Sequence, residues 1–345
     1  SPENPTQRYL YRTRFDGMTE RLTPADQPGW HGYDVAPGGR FAVHRYSSFG
    51  TPGITEMVEL PSHRVVETMV DNERLKKAVA FLARGKSEFF RVPADDGTEL
   101  DGYMMYPPDF DSTKTYPLFF YVYGEPWGQT ATDSWGGRNY LWHLMLTQKG
   151  YIVASVDNRG TPSLRGRAWR KSVYGQIGVL SSSDQRAAAL ALSERPYIDR
   201  ERIGVWGWSG GGSMTLNLLF RSPDVYKTGM SVAPVPDQLL YDTIYQERYM
   251  GLPDDNAEGY STGSPITYAD QLEGNLLLVH GTGDDNVHYQ GSEKLINALI
   301  ASNKQFTMMA YPNRSHGIFE GRNTTRHLYT LMTDYLLDNL PAGPR

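Results

Sequence analysis

The segment that decides the fold reads Ile203-Gly-Val-Trp-Gly-Trp-Ser-Gly-Gly-Gly-Ser-Met-Thr-Leu-Asn-Leu-Leu-Phe220. Its first four residues form a short apolar run typical of a buried strand, and the residues from Ser213 onward have helical spacing. Between them, Gly207-Trp-Ser-Gly-Gly211 matches a sharp strand-to-helix turn that exposes a nucleophilic serine, and the glycines avoid clashes with the strand and helix. The alternative is a glycine-rich turn before a helix capped by Ser213. The flanking strand and helix favour Ser209 as a nucleophile.

The same alternation of buried strands and helices extends over residues 76–345 and predicts a mainly parallel sheet. A hairpin around Asp95-Asp-Gly97 comes first. The predicted strands are 88–92, 100–106, 117–123, 151–156, 203–206, 228–232, 276–279 and 306–311, and the predicted helices are 140–149, 184–194, 213–220, 291–301 and 325–340. This is the layout of the α/β-hydrolase fold, in which catalytic groups lie at the carboxyl ends of strands.

Residues 1–75 follow a different pattern, in which short apolar runs alternate with turn signals such as Asp16-Gly17 and Gly38-Gly39. The pattern predicts five or six short antiparallel strands, too few to close a barrel or propeller, so we expect an incomplete β domain with edges covered from outside. A helical stretch, 72–82, leads into the second domain. The chain opens with Ser-Pro-Glu-Asn rather than Met, so we expect either a processed product or an excised piece of a longer protein. Four of these five or six predicted strands are 8–15, 40–46, 54–60 and 64–70.

Composition excludes several classes of function. The net charge of −5 and the lack of a run of basic residues exclude nucleic acid as an expected partner. The longest apolar stretch, Leu118–Tyr123, is far shorter than the roughly 18 residues of a membrane-spanning helix, so no span is expected. The chain has no cysteine, no H-E-x-x-H and no complete G-x-G-x-x-G, so we expect neither a metal nor any other cofactor.

The base and the acid of a serine hydrolase of this fold follow the nucleophile in the order Ser, Asp or Glu, His. His316, in Pro312-Asn-Arg-Ser-His-Gly317, follows the last predicted strand and precedes the last helix, which favours it as the base. Its alternatives are His280 at a strand end, His288 before a helix and His327 within one.

Spacing alone does not select the acid. Asp284 lies just after the buried run 276–279, where a loop carboxylate can reach an imidazole. Asp285 is adjacent and chemically identical, and Asp237 and Asp242 follow the preceding strand. The pattern therefore leaves four candidate carboxylates.

Several separate segments resemble the prolyl oligopeptidase family, and within it the branch similar to dipeptidyl peptidase IV. They occur in the family's order and with nearly its spacing over residues 85–340, which makes the resemblance far more specific than one motif. They are Tyr121-Val-Tyr-Gly124, Val156-Asp-Asn-Arg-Gly160, Gly207-Trp-Ser-Gly-Gly211, Ala233-Pro-Val235, Tyr245-Gln-Glu-Arg-Tyr-Met-Gly-Leu-Pro253 and His280-Gly-Thr-Gly-Asp-Asp-Asn-Val-His288.

The resemblance assigns roles that spacing left open. It puts the acid on Asp284 and the two oxyanion donors on the Tyr123 hydroxyl and the Gly210 backbone N–H. It also implies that residues 1–75 are the last blade or two of a β-propeller whose other blades belong to a longer chain. The implied substrate-pocket residues are Val235, Tyr241, Tyr245, Asn286 and Val287, with Asn286 holding a substrate carbonyl.

Two positions depart from the family pattern. The residue after the nucleophile, usually tyrosine, is Gly210, and a pocket tryptophan is replaced by Gln238, so we expect a wider pocket. The family branch binds the free substrate amine through paired glutamates of the propeller, and residues 1–75 contain no matching segment.

The resemblance implies a serine peptidase that releases N-terminal dipeptides from peptide substrates and prefers Pro or Ala in the penultimate position. The alternatives are an acylaminoacyl peptidase or carboxylesterase on the same scaffold, and a binding module without catalysis. Relatives often dimerise through the hydrolase domain and bacterial relatives are often exported, so a homodimer and a periplasmic or secreted location are expectations by analogy only.

Overall fold

The computed structural model describes residues 3–345, which form two compact units. One comprises the chain up to Arg84 together with Ala131–Met145, and the other comprises Gly85–Thr130 and Leu146–Arg345. The strands are β1 Tyr11–Thr13, β2 Thr19–Arg21, β3 Trp30–Val35, β4 Phe41–Ser48, β5 Thr51–Glu59, β6 Arg64–Val70, β7 Ser87–Pro93, β8 Glu99–Met105, β9 Tyr116–Tyr121, β10 Ile152–Val156, β11 Ile198–Trp208, β12 Thr228–Val232, β13 Asn275–Gly281 and β14 Thr307–Tyr311. The helices are α1 Glu73–Ala80, α2 Gly137–Gln148, α3 Gly166–Lys171, α4 Val179–Ser193, α5 Gly210–Arg221, α6 Thr243–Met250, α7 Ala257–Gly263, α8 Gln290–Ala301 and α9 Thr324–Asn339, with 3₁₀ turns at Gln238–Leu240 and Pro265–Gln271.

The larger unit is built on an eight-stranded sheet in the order β14-β13-β12-β11-β9-β10-β8-β7. The six strands from β9 to β14 run parallel, and the hairpin β7-β8 adds antiparallel strands at one edge. Because parallel strands end at the same edge of a sheet, the segments that follow β9, β11, β13 and β14 are brought together. The predicted α/β-hydrolase sheet is therefore confirmed.

The central strands β9, β12 and β13 are buried along almost their whole length, as is typical of parallel strands with both faces covered. Leu118, Val205 and Leu278, from three different parallel strands, are fully buried in one core cluster. The helix after Ser209 joins the same core through Leu216 and Leu219, which are also fully buried. This packing fixes the carboxyl edge of the sheet as a rigid base for loops.

The smaller unit contains the predicted antiparallel strands, arranged as the sheet β3-β4-β5-β6 and the hairpin β1-β2. A four-stranded antiparallel sheet is the unit from which propeller blades are built. The predicted domain boundary after residue 75 falls inside α1, whereas the compact unit continues to Arg84. One reason is that Asn72, just before α1, donates from its side chain to the Gly53 carbonyl oxygen at 2.7 Å.

Strand β3 could not be recognised as an apolar run because its buried side chains are polar. His31 Nδ1 and His44 Nε2, on neighbouring strands, are 2.8 Å apart, and Tyr33 shares a hydrogen bond with His63 at 2.8 Å. Burial lowers the pKa of His31 to about 4 and that of His44 to about 3, so both rings are neutral near pH 7.

Across residues 3–345, the helices all fall short of the length and apolar character needed to cross a bilayer.

Candidate active site

The candidate nucleophile lies on a strained turn between β11 and α5. Ser209 has φ 60° and ψ −123°, a conformation that is rare for a residue with a side chain. The backbone N–H of Ser209 donates to the Val232 carbonyl oxygen at 2.9 Å, which ties the turn to the next strand. A side chain on Gly207 would lie 2.6 Å from the Val122 carbonyl oxygen, and one on Gly211 would overlap the same atom. The sequence therefore needs both glycines to expose Ser209.

The candidate acid and base are hydrogen-bonded to each other. His316 Nδ1 lies 2.7 Å from Asp284 Oδ2, and the Asp284 side chain is completely buried. The backbone N–H groups of Asn286 and Val287 donate to Asp284 Oδ1 at 3.0 and 2.9 Å. Burial alone would raise the pKa of Asp284, but the hydrogen bonds from His280 and His316 outweigh it and hold this pKa well below its usual range. Asp284 is therefore an ionised carboxylate that orients His316.

The other three carboxylates have different surroundings. Asp285 is exposed, in contrast to the buried Asp284. Asp237 pairs with Lys294 at 2.7 Å and caps a 3₁₀ turn, and Asp242 caps α6 by accepting from the Tyr245 N–H at 2.8 Å. Each of these three has a local structural role or solvent contact in place of a bond to His316.

The alternative histidine at the strand end, His280, has hydrogen-bond partners on both ring nitrogens. His280 is fully buried, and its Nε2 lies 3.1 Å from Asp284 Oδ2 and 2.9 Å from the Val287 carbonyl oxygen. Since both atoms are acceptors, Nε2 carries the proton, and Nδ1 accepts from the Ser292 hydroxyl at 2.7 Å. His280 thus donates a hydrogen bond that holds the Asp284 carboxylate in place, a role that the sequence did not reveal.

A cavity of about 620 Å³ opens over the candidate nucleophile and is lined by Ser209 and His316. Most of the other predicted site residues line it as well. Val287 is not among its walls, since it is buried and contributes its backbone to Asp284 and His280 rather than a side chain to the pocket. The complete lining is Tyr123, Glu125, Trp127, Ser209, Gly210, Val235, Tyr241, Asp242, Ile244, Tyr245, Arg248, Asn286 and His316.

The Tyr123 side chain lies next to the nucleophile and forms a hydrogen bond with the Ser209 side chain. Burial and the neighbouring Glu125 raise the pKa of Tyr123 above its usual value, while the bond with Ser209 acts in the opposite direction. Tyr123 therefore keeps its proton at neutral pH and can donate a hydrogen bond into the cavity. Elsewhere in the cavity lining, the Tyr241 hydroxyl donates to Asn286 Oδ1 at 3.0 Å.

The loop that carries Tyr123 is held in place by the segment after β10. Asn158 Nδ2 donates to the Gly124 carbonyl oxygen at 3.0 Å, and the Thr130 N–H donates to Asp157 at 2.8 Å. Arg159 forms a largely buried ion pair with Asp184 at 2.6 Å. The motif Val156-Asp-Asn-Arg-Gly160 thus positions the loop beside Ser209, and its five residues are not part of the cavity wall.

One buried acid of the cavity was missed by the sequence reasoning. Glu125 is only 5% exposed, yet its carboxyl group forms part of the wall, directly beside Gly210. The signal that could have found it is its position two residues after Tyr123, within the loop that the resemblance places at the site.

The sequence of this chain is similar to those of known peptidases. The model of the prolyl oligopeptidase family matches residues 138–342, more than half of the chain. The chain belongs to the prolyl oligopeptidase family. Members with similar sequences include proteins named "Probable dipeptidyl-aminopeptidase B" from Coccidioides posadasii, 33% identical, and Emericella nidulans, 35% identical. Each alignment covers 97% of this chain and 37% of the relative.

A solved family member has the same architecture. The crystal structure of Porphyromonas gingivalis dipeptidyl peptidase 4 superposes with a TM-score of 0.92 at 38% identity, over 98% of this chain and 47% of that one. This confirms the predicted resemblance and the predicted fold. The chain spans less than half of the length of these prolyl oligopeptidase family relatives.

Proposed function

We propose that this chain carries the catalytic site of a serine peptidase that releases N-terminal dipeptides, with Pro or Ala accepted in the penultimate position. The observation that carries the proposal is the convergence of Ser209 on its strained turn with the hydrogen-bonded pair Asp284 and His316 at one cavity. The names of the similar proteins support the exopeptidase assignment.

In this mechanism the Ser209 hydroxyl attacks the scissile carbonyl carbon while His316 Nε2 accepts its proton. Asp284 holds the Nδ1–H tautomer of His316 and stabilises the imidazolium that forms. The Tyr123 hydroxyl and the Gly210 N–H donate to the oxyanion. His316 then protonates the leaving amine. Water next attacks the acyl-enzyme while His316 accepts its proton, and His316 returns that proton to Ser209 as the dipeptide leaves.

The pocket residues have proposed roles as well. Val235 and the rings of Tyr241 and Tyr245 offer an apolar surface to the penultimate side chain, and Asn286 donates to a substrate carbonyl. Tyr241 and Tyr245 pack edge to face with ring centroids 5.3 Å apart, which keeps this wall rigid.

The nucleophile is tested by labelling with a fluorophosphonate probe. We expect stoichiometric labelling of the folded chain at Ser209 and none in Ser209→Ala, because only an activated serine reacts rapidly with such a probe. Mass spectrometry of the labelled peptide identifies the site. Absence of an adduct on folded protein would favour a binding module without catalysis.

The exopeptidase assignment is tested with Gly-Pro-p-nitroanilide and its N-acetylated form, with Ser209→Ala as the blank. We expect hydrolysis of the free-amine substrate alone. Preference for the acetylated form would reassign the chain to an acylaminoacyl peptidase, and hydrolysis of simple esters alone would reassign it to a carboxylesterase.

Tyr123→Phe is expected to lower kcat by about 10²–10³, because removal of one oxyanion donor leaves developing charge uncompensated in the transition state. KM should change little, since the ground-state carbonyl oxygen does not carry that charge. Steady-state kinetics with Gly-Pro-p-nitroanilide measures both constants. Tyr174→Phe, which removes a hydroxyl from an exposed ring outside the cavity, is the matched control, and an equal loss in both variants would refute the oxyanion role.

A further inference from the structure

A buried carboxyl group faces the cavity beside the nucleophile and has no part in the proposed mechanism. Glu125 is 5% exposed, and the Tyr245 hydroxyl donates to its Oε2 at 3.1 Å. Burial raises the pKa of Glu125 to about 7, although the hydrogen bond from Tyr245 acts in the opposite direction. Burial of an acid in a binding cavity is costly unless its oxygens find donors.

Glu125 occupies the space that a side chain on the residue after the nucleophile would need. A Cβ atom on Gly210 would lie 3.0 Å from Glu125 Oε2 and 3.2 Å from its Cβ. A tyrosine at residue 210, the residue usual in the family, would therefore require the Glu125 side chain to shift. Gly210 and Glu125 form a matched pair, and the space predicted to widen the pocket is partly filled by the carboxyl group.

The polar character continues behind the carboxyl group. Gln238, which stands where the family pattern has a tryptophan, is 1% exposed, and its Oε1 accepts a hydrogen bond from the side-chain amide of Gln246. Gln246 is 2% exposed. The pocket thus combines an apolar side, which includes Val235, with an acidic side backed by amides.

We propose that Glu125 is a specificity-determining residue and that the pocket takes penultimate side chains that end in a hydrogen-bond donor, uncharged or cationic, in addition to Pro and Ala. The proposal deepens the proposed function and rests on it. A donor from the substrate would add a hydrogen bond to the Glu125 carboxyl group, whereas a hydrocarbon side chain would cover that group without supplying one. Substrates with a donor should therefore be favoured over apolar ones of equal length by about tenfold or more in kcat/KM.

The test uses three substrates whose penultimate side chains are unbranched and similar in length: Gly-Met, Gly-Gln and Gly-Lys 7-amido-4-methylcoumarins, with Gly-Pro as the reference. In the unchanged chain we expect kcat/KM for Gln or Lys to exceed that for Met by about tenfold. A larger value for Lys identifies charge pairing with the carboxylate, and a larger value for Gln identifies a neutral hydrogen bond.

Two variants separate specificity from folding. Glu125→Leu removes both oxygens, so the Gln/Met and Lys/Met ratios should fall to one or below. Glu125→Gln keeps an acceptor without the charge, so the Gln/Met ratio should survive while the Lys/Met ratio falls. Each ratio is measured within one preparation, so a lower folded fraction cancels. Glu247→Leu makes the same change at an exposed position on α6 and should leave both ratios unchanged.

The proposal is overturned if Met is hydrolysed as well as Gln and Lys by the unchanged chain, or if Glu125→Leu slows all three substrates equally. Equal slowing would point to a role of Glu125 in binding the substrate amine or in structure. If Gly-Pro is hydrolysed while no preference for a donor is found, only this inference fails. If none of the four substrates releases its dipeptide, the proposed function fails and takes the inference with it.

Discussion

Asp284→Asn is expected to reduce kcat by about 10⁴, whereas Asp285→Asn should leave kcat close to that of the unchanged chain. The asparagine amide nitrogen can face His316 Nδ1 only as a donor, so the imidazole would take the tautomer with its proton on Nε2. His316 could then not accept the Ser209 proton. Asp285, exposed one residue further on, provides a matched substitution. Hydrolysis of Gly-Pro-p-nitroanilide, per mole of folded protein, measures the difference.

This comparison needs a check on folding, because Asp284 also accepts hydrogen bonds from His280 and from two backbone N–H groups. In the Asp284→Asn variant the new amide can keep the backbone bonds through its oxygen, but its nitrogen would face the His280 Nε2–H. We therefore expect some loss of stability, which urea unfolding would report separately from kcat. A loss of activity in Asp285→Asn as large as in Asp284→Asn would mean that the geometry assigns the wrong carboxylate.

The sheet and its catalytic edge could be predicted because their sequence signals are local. Strand β12 was predicted with its observed bounds, 228–232, and β13 was recognised from the short apolar run 276–279 that is typical of a fully buried strand. Strand β11 begins five residues earlier than predicted, because residues 199–202 are charged or polar and do not read as a buried strand. The serine turn was predictable because its glycines and its flanking elements are contiguous in the chain.

Three helices were missed for identifiable reasons. α3 is short and mostly exposed. α6 lies beside the cavity, and α7 is rich in glycine and polar residues. All three therefore lack the periodic apolar face by which a helix is recognised. α6 and α7 are instead defined by their caps. Asp242 accepts from the Tyr245 N–H and Asn256 accepts from the Gly259 N–H, local signals that are visible in the sequence once they are sought.

The acidic wall of the cavity could not be predicted from spacing. The burial of Glu125 depends on Gly210, which lies far along the chain at the start of α5. It also depends on the Tyr245 hydroxyl, which reaches Glu125 from α6. The inward role of Val287 was likewise invisible, because its backbone rather than its side chain contributes to the site. Such pairings are properties of the tertiary structure.

Gly207→Ala is expected to destabilise the larger unit by about 3 kcal/mol or more and to abolish fluorophosphonate labelling of Ser209. The added methyl group would meet the Gly211 backbone and lie 2.6 Å from the Val122 carbonyl oxygen, and backbone atoms cannot move aside as a flexible side chain can. Relief of the overlap would open the turn that holds Ser209 at φ 60°. The midpoint of urea unfolding and the rate of labelling measure the two effects.

Gly32→Ala is the matched control for this prediction, because the same methyl group meets no atom within 4 Å at that position in β3. Its unfolding free energy should change by less than about 1 kcal/mol and can rise, since alanine restricts the unfolded chain. Gly211→Ala, whose methyl group would overlap the Val122 carbonyl oxygen from the other side of the turn, should behave like Gly207→Ala. An unchanged unfolding midpoint with normal labelling in both turn variants would show that the turn tolerates side chains and that the glycines do not hold Ser209 in place.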